Sequence, residues 1–165
     1  MSTDEIIRHI VHQAFFGGVS ALGFAVLFNC TPRILWVGFI SGMLALATRT
    51  FCQDIFHLGL PAASFFGSLL IASLNRWWWE DALSLRGPVL AIVGSIPMVP
   101  GSLAAKGLYA IFLMINNNQV PGSLPPVELA LENLIIGATT LVAIGTALAI
   151  PAFFPDFPEK NEEEA

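Results

Sequence analysis

Charged positions cut the chain into long apolar runs, and these runs predict its elements. Between Arg8 and Arg33 the only titratable side chains in the apolar run are His9, His12 and Cys30. That run exceeds the ~20 residues a membrane-crossing helix needs, and a helix is expected over about 10–29. The run 34–48, fenced by Arg33 and Arg49, is shorter and marginal as a crossing. The run 55–75, between Asp54 and Arg76, carries Pro61 in its first turns, where proline is tolerated. Residues 87–105 lead to Lys106 and stay apolar to Ile115, and 133–155 open behind Glu128 and Glu132 and close near Pro151. The pattern predicts an all-α polytopic membrane protein, a single transmembrane domain over 1–155. It is a bundle of about five helices, or four if the short second run is not a span of its own.

Composition agrees. Of 165 residues 55% are hydrophobic and 12% charged, with a mean hydropathy of +0.73; a soluble domain carries about 25% charged residues. Seven Lys/Arg and twelve Asp/Glu cannot coat a water-soluble globule of 17.7 kDa. The net charge of −5 comes largely from an acidic tail at 156–165, which lacks apolar periodicity and is expected to be disordered. A soluble enzyme is excluded, and so is a nucleic-acid binder, which needs a basic face. Cys30 and Cys52 form no CxxC and read as free thiols. Asp4 and Glu5 do not suit the basic start of a cleavable targeting signal, so none is expected.

Small residues recur at helical spacing: Gly38/Gly42, Ala63/Gly67, Ser68/Ala72 and Gly145/Ala149. Such faces let helix backbones approach closely in lipid, and packing within the chain is the expected use of most of them. Trp77, Trp78 and Trp79 beside Arg76 read as an interfacial belt where the third span leaves the membrane. With five spans, Arg8 and Arg49 lie on the amino-terminal side and Arg33, Arg76, Arg86 and Lys160 on the other. The positive-inside rule then places the carboxyl terminus in the cytoplasm.

The stretch Gly94-Ser95-Ile96-Pro97-Met98-Val99-Pro100-Gly101-Ser102 interrupts the fourth span. Its two prolines remove two backbone donors and obstruct two carbonyls of the preceding turn. A continuous helix over 87–115 would measure ~43 Å against a hydrocarbon core of ~30 Å. A kink near 97–101 shortens it, and irregular backbone at that depth is tolerated only against protein or a water-filled cavity. A second half restarting at Gly101-Ser102, with Ser102 able to cap, would turn a positive helix end toward the break, as in transporters with discontinuous helices. Lys106 lies on the same face, ~6 Å further on. Two readings follow: Ser95, Ser102 and Lys106 line an anion-receiving site with Pro97, Pro100 and Gly101, or the prolines merely kink the helix while Lys106 snorkels to the interface.

Other polar residues suggest less. Glu128 and Glu132 suit a helix N-terminus behind Pro125-Pro126, with cation or proton coupling as the sharper alternative. His9 and His12 read as interface histidines without a third ligand for a metal. Arg49, Asp54 and His57 read as bracketing a short turn with a surface ion pair, and Asn29 as a hydrogen bonder at a helix end that is counted with the expected substrate-binding residues. No nucleophile–base pair, phosphate loop, cofactor motif or metal signature is present in the sequence, so catalysis is not expected.

Gly23-Phe24-Ala25-Val26-Leu27-Phe28-Asn29 with Pro32-Arg33, then Pro61-Ala62-Ala63-Ser64-Phe65, then Ile96-Pro97-Met98-Val99-Pro100-Gly101-Ser102, resemble the threonine/serine exporter family. The likeness is to the small YjjB-like subunit of split exporters, and it runs through nearly the whole chain. It implies an inner-membrane efflux subunit working with a larger YjjP-like membrane subunit, and substrates that are threonine and serine or, in the split form, a dicarboxylate such as succinate. Ala105-Lys106 stands where relatives often carry a tyrosine or a small residue, so Lys106 is local to this chain. The competing expectation is a membrane scaffold or assembly protein that transports nothing itself; contact with lipid and self-association are expected partners beside the larger subunit.

Overall fold

The computed structural model describes residues 3–79, 89–116 and 125–153. These are helical, with no strand among them: α1 (Thr3–Leu27), α2 (Pro32–Phe56), α3 (Leu60–Leu74) running into a π-helical turn (Asn75–Trp79), α4 (Val89–Ser95) followed by a 3₁₀ turn (Ile96–Met98), α5 (Gly101–Ile115) and α6 (Pro126–Ala149) ending in a 3₁₀ turn (Ile150–Phe153). The acidic tail 156–165, and Arg86 and Lys160 of the positive-charge comparison, lie outside the described residues.

Local chemistry sets the ends. At the close of α1, Asn29 takes a left-handed conformation (φ 54°), which asparagine tolerates better than most residues. The Asn29 and Cys30 N–H groups then donate to the Val26 and Ala25 carbonyls at 2.9 and 3.0 Å, satisfying carbonyls that a helix end strands. α2 restarts with Pro32 in its first turn, where its missing N–H costs nothing. His57 (φ 52°) closes α2 in the same left-handed way, and prolines again open α3 and α6.

Three helices are long and apolar enough to cross a membrane: Asp4–Leu27, Pro32–Phe56 and Pro126–Ala149. A fourth crossing results when Val89–Met98 and Gly101–Ile115, bent by 48°, form one broken span. The second run, expected to be marginal, is a full 25-residue helix, because Arg49 sits inside it rather than ending it. The short element is α3, whose 15 residues reach only ~22 Å before the π turn. Along the apolar stretches of the three long helices only 28–33% of residues are buried inside the protein. Large apolar side chains such as Phe15, Trp36, Leu108 and Val142 face outward, the surface of a multi-pass membrane protein bathed in lipid. Trp77 and Trp78 are exposed as interfacial anchors would be, whereas Trp79 packs against the core.

α2 is the centre, touching α1, α3 and α4; α6 packs on the far side of α3, and α5 leans chiefly on α6. Small residues permit the closest approaches. A Cβ at Gly42 would stand 2.5 Å from the Gly17 carbonyl oxygen, and one at Gly94 2.7 Å from the Ser41 Cβ. Gly145, by contrast, has nothing within 4 Å of such a Cβ, so the Gly145/Ala149 pair faces out and joins no helices among the described residues.

Candidate functional site

The double-proline stretch folds as a bend. After the 3₁₀ turn, Val99 is extended (φ −60°, ψ 126°), and α5 restarts behind Pro100. The Gly101 N–H donates to the Val99 carbonyl at 2.8 Å, and those of Leu103 and Ala104 converge on the Pro100 carbonyl at 3.1 and 3.2 Å. A continuous helix would bond the Ser102 N–H to the Met98 carbonyl; the bend parts them, leaving the Met98 oxygen without a backbone donor. Ser102 does not cap: no side-chain cap bond forms at the start of α5. The restarted helix therefore offers one unbonded N–H rather than a cluster of donors.

What reaches the Met98 oxygen is Arg49. Its Nη1 donates to that carbonyl at 3.4 Å, and its buried Nε has no partner. The sequence reading put Arg49 in a turn with Asp54 and His57. Instead it stands ~26 Å along α2 from Pro32 and ~10 Å short of Phe56, and Asp54 bonds His9 of α1 at 2.7 Å. An arginine costs about 2.5–3.5 kcal/mol at the centre of a span and less toward its ends, and a charge inside a span points by default to function.

Close contacts fix the register around it. Gly94 lies against Ser41 of α2 and Ile71 of α3, and Gly67 of α3 lies against the Ala45 carbonyl and the Met98 sulfur. The pairs 41/71 and 45/67 run antiparallel, so one turn on, Arg49 is level with residue 63 or 64. Ser64 and Ser68, flanking Gly67 on one face of α3, are fully buried and their hydroxyls have no partner. Arg49 Nε and these two hydroxyls are the buried side-chain polar atoms left unpaired among the described residues.

The residues expected at the site are distributed differently. Pro97, Pro100 and Gly101 build the bend. Ser95 is buried and its hydroxyl is spent on the Ala91 and Ile92 carbonyls at 2.6 and 3.0 Å. Ser102 and Lys106 are exposed on α5. Asn29 lies at the opposite end of α2 from Arg49, since α1 and α2 pair antiparallel through Gly17/Gly42 and His9/Asp54. Glu128 and Glu132 are exposed near the start of α6, at the far end of α5, because Gly107 packs on Leu134 and Gly137 on Leu103. Arg49 was the residue missed; the signal was one cation inside an otherwise apolar 34–53, too long a run to end at that charge.

No three His, Cys, Asp or Glu side chains converge among the described residues. An open hollow of about 530 Å³ lies along α1 between Asp4 and Phe16; one helix lines it, and none of the bend residues touches it.

Comparison with known proteins places these features in context. The family model described as "Threonine/Serine exporter, ThrE" matches residues 13–157. An uncharacterised Haemophilus influenzae protein is 28% identical over 144 residues, covering 86% of this chain and 46% of that protein. The chain thus spans about half the length of that relative. No solved structure matches.

Proposed function

The chain belongs to the threonine/serine exporter family, and on that premise we propose that it is a membrane subunit of a secondary exporter for small carboxylate-bearing metabolites. Threonine and serine are the first candidate substrates and a dicarboxylate such as succinate the second. A larger membrane subunit of the YjjP-like kind supplies the other half of the pathway, and the pair sits in the inner membrane. The observation that carries the reading is the bent span: an unwound segment flanked by an intramembrane cation is the usual build of a transporter's binding centre.

The test is efflux from host cells lacking this chain. Cells are loaded with threonine- or serine-containing dipeptides, or with succinate, and appearance of the solute outside is followed with and without a plasmid-borne copy. Slowed efflux restored by the copy supports the proposal. Unchanged efflux of all three solutes, with this chain still co-purifying with another membrane protein, would establish the scaffold instead.

A further inference from the structure

Resting on the exporter reading above, we infer that Arg49 takes the substrate's carboxylate and that the Ser64 and Ser68 hydroxyls bind its second polar group. A guanidinium stays charged at any pH a cell meets and offers five donors in a planar fork. Here one donor makes a long 3.4 Å bond to the Met98 carbonyl and Nε makes none. Arg49 has no salt bridge to a carboxylate among the described residues, and the acid on its own helix, Asp54, is bonded to His9. A carboxylate brought by a ligand fits the fork with two parallel bonds.

The hydroxyls supply the second half of the recognition. Ser64 and Ser68 are one turn apart, ~6 Å along α3, and the register brings Ser64 level with Arg49. Buried polar atoms are ordinarily paired. Packing defects would scatter such atoms through the bundle. Here Arg49 reaches Met98, Gly67 between the two serines lies against the same Met98, and no described residue satisfies the three atoms. A small molecule with a carboxylate at one end and an ammonium, hydroxyl or second carboxylate a few bonds away would pair all of them at once. Lys106, exposed on α5, is not part of this centre.

The experiment uses the full chain with whatever co-purifies from host membranes. Thermal stabilisation by L-threonine, L-serine and succinate is compared with that by L-threoninamide, which keeps the ammonium and hydroxyl but lacks the carboxylate. Efflux is measured in parallel for wild type, Arg49→Gln, Arg49→Lys, Lys106→Gln and Ser64→Ala/Ser68→Ala. Expected are stabilisation by the acids and not the amide, and binding about tenfold to a hundredfold weaker in Arg49→Gln, the scale of a lost charged hydrogen bond. Arg49→Lys keeps the charge without the fork and falls between, the double serine variant weakens binding severalfold, and Lys106→Gln leaves it unchanged. Equal stabilisation by acid and amide overturns the assignment without any variant. So does wild-type binding in Arg49→Gln, or an Arg49→Gln protein that binds normally but loses its co-purifying partner, which would make the partner's carboxylate the counter-ion. If wild type neither binds nor exports any of these solutes, the exporter reading itself fails, a different result from a wild type that exports and an Arg49→Gln that exports equally.

Discussion

Replacing Arg49 by methionine should make the isolated chain more stable. Methionine keeps much of the unbranched stem that packs beside Ala45 and Met98 and removes the charge. The substitution deletes one bond, from Nη1 to the Met98 carbonyl, whose 3.4 Å length puts its worth below about 1 kcal/mol. It also removes the buried Nε that has no partner, and an unsatisfied buried donor costs about 1–3 kcal/mol, more when charged. The balance is a gain of about 1–2 kcal/mol, in line with apolar replacement of buried ions elsewhere. For a chain of this size that is a rise in Tm of about 2–8 °C. Thermal unfolding of the purified chain in detergent, followed by far-UV circular dichroism, reads it directly. A loss of stability of about 2 kcal/mol or more would refute the reasoning, because Arg49 would then be a structural bracket holding the bend through Met98 rather than a cation kept for a ligand.

Gly42→Ala should destabilise the chain by about 1–3 kcal/mol, the usual cost of overpacking. The new Cβ meets the Gly17 carbonyl oxygen at 2.5 Å, and backbone cannot swing aside; the same detergent melt measures it. Gly145→Leu should leave the melt within about 0.5 kcal/mol of wild type, since nothing lies within 4 Å of that position; a larger loss would mean that this face is covered. Asp54→Asn removes the charge from the bond to His9, whose side chain is 43% exposed. It should cost less than about 1 kcal/mol, checked by unfolding Asp54→Asn, His9→Ala and the double variant as a cycle.

The sequence makes the membrane and the bend legible because both are written locally: apolar runs between charges, and Pro97 and Pro100 within one helical turn. Helix ends were less visible. Charged residues looked like fences, yet Asp4, Glu5 and Arg8 lie inside α1 and Arg49 inside α2, because one charge per several turns does not stop a helix that its neighbours hold. The candidate site divides along the same line. That the bend lies at 97–101 follows from backbone chemistry alone. Which side chains face it depends on the register of α2 against α3, set by Gly67 and Gly94, and no single-helix pattern reports a register. Ser64 was quoted only as part of a motif, and Lys106, a conspicuous charge, turned outward.

The hairpin of α1 and α2 carries a consequence in time. Its two helices are joined by the four residues 28–31 and meet through glycines already present when Phe56 has been made. Closing so short a loop is fast and costs little entropy, so this pair can reach its final geometry while the rest of the chain is still being synthesised. Met98 is 49 residues downstream of Arg49, which at about 5–20 residues per second is a delay of roughly 2–10 s. Throughout that interval the guanidinium is in the membrane without the bend that later reaches it, and only water or lipid headgroups can solvate it. The nascent hairpin must therefore stay shallow, or keep a wet face, until the broken span arrives.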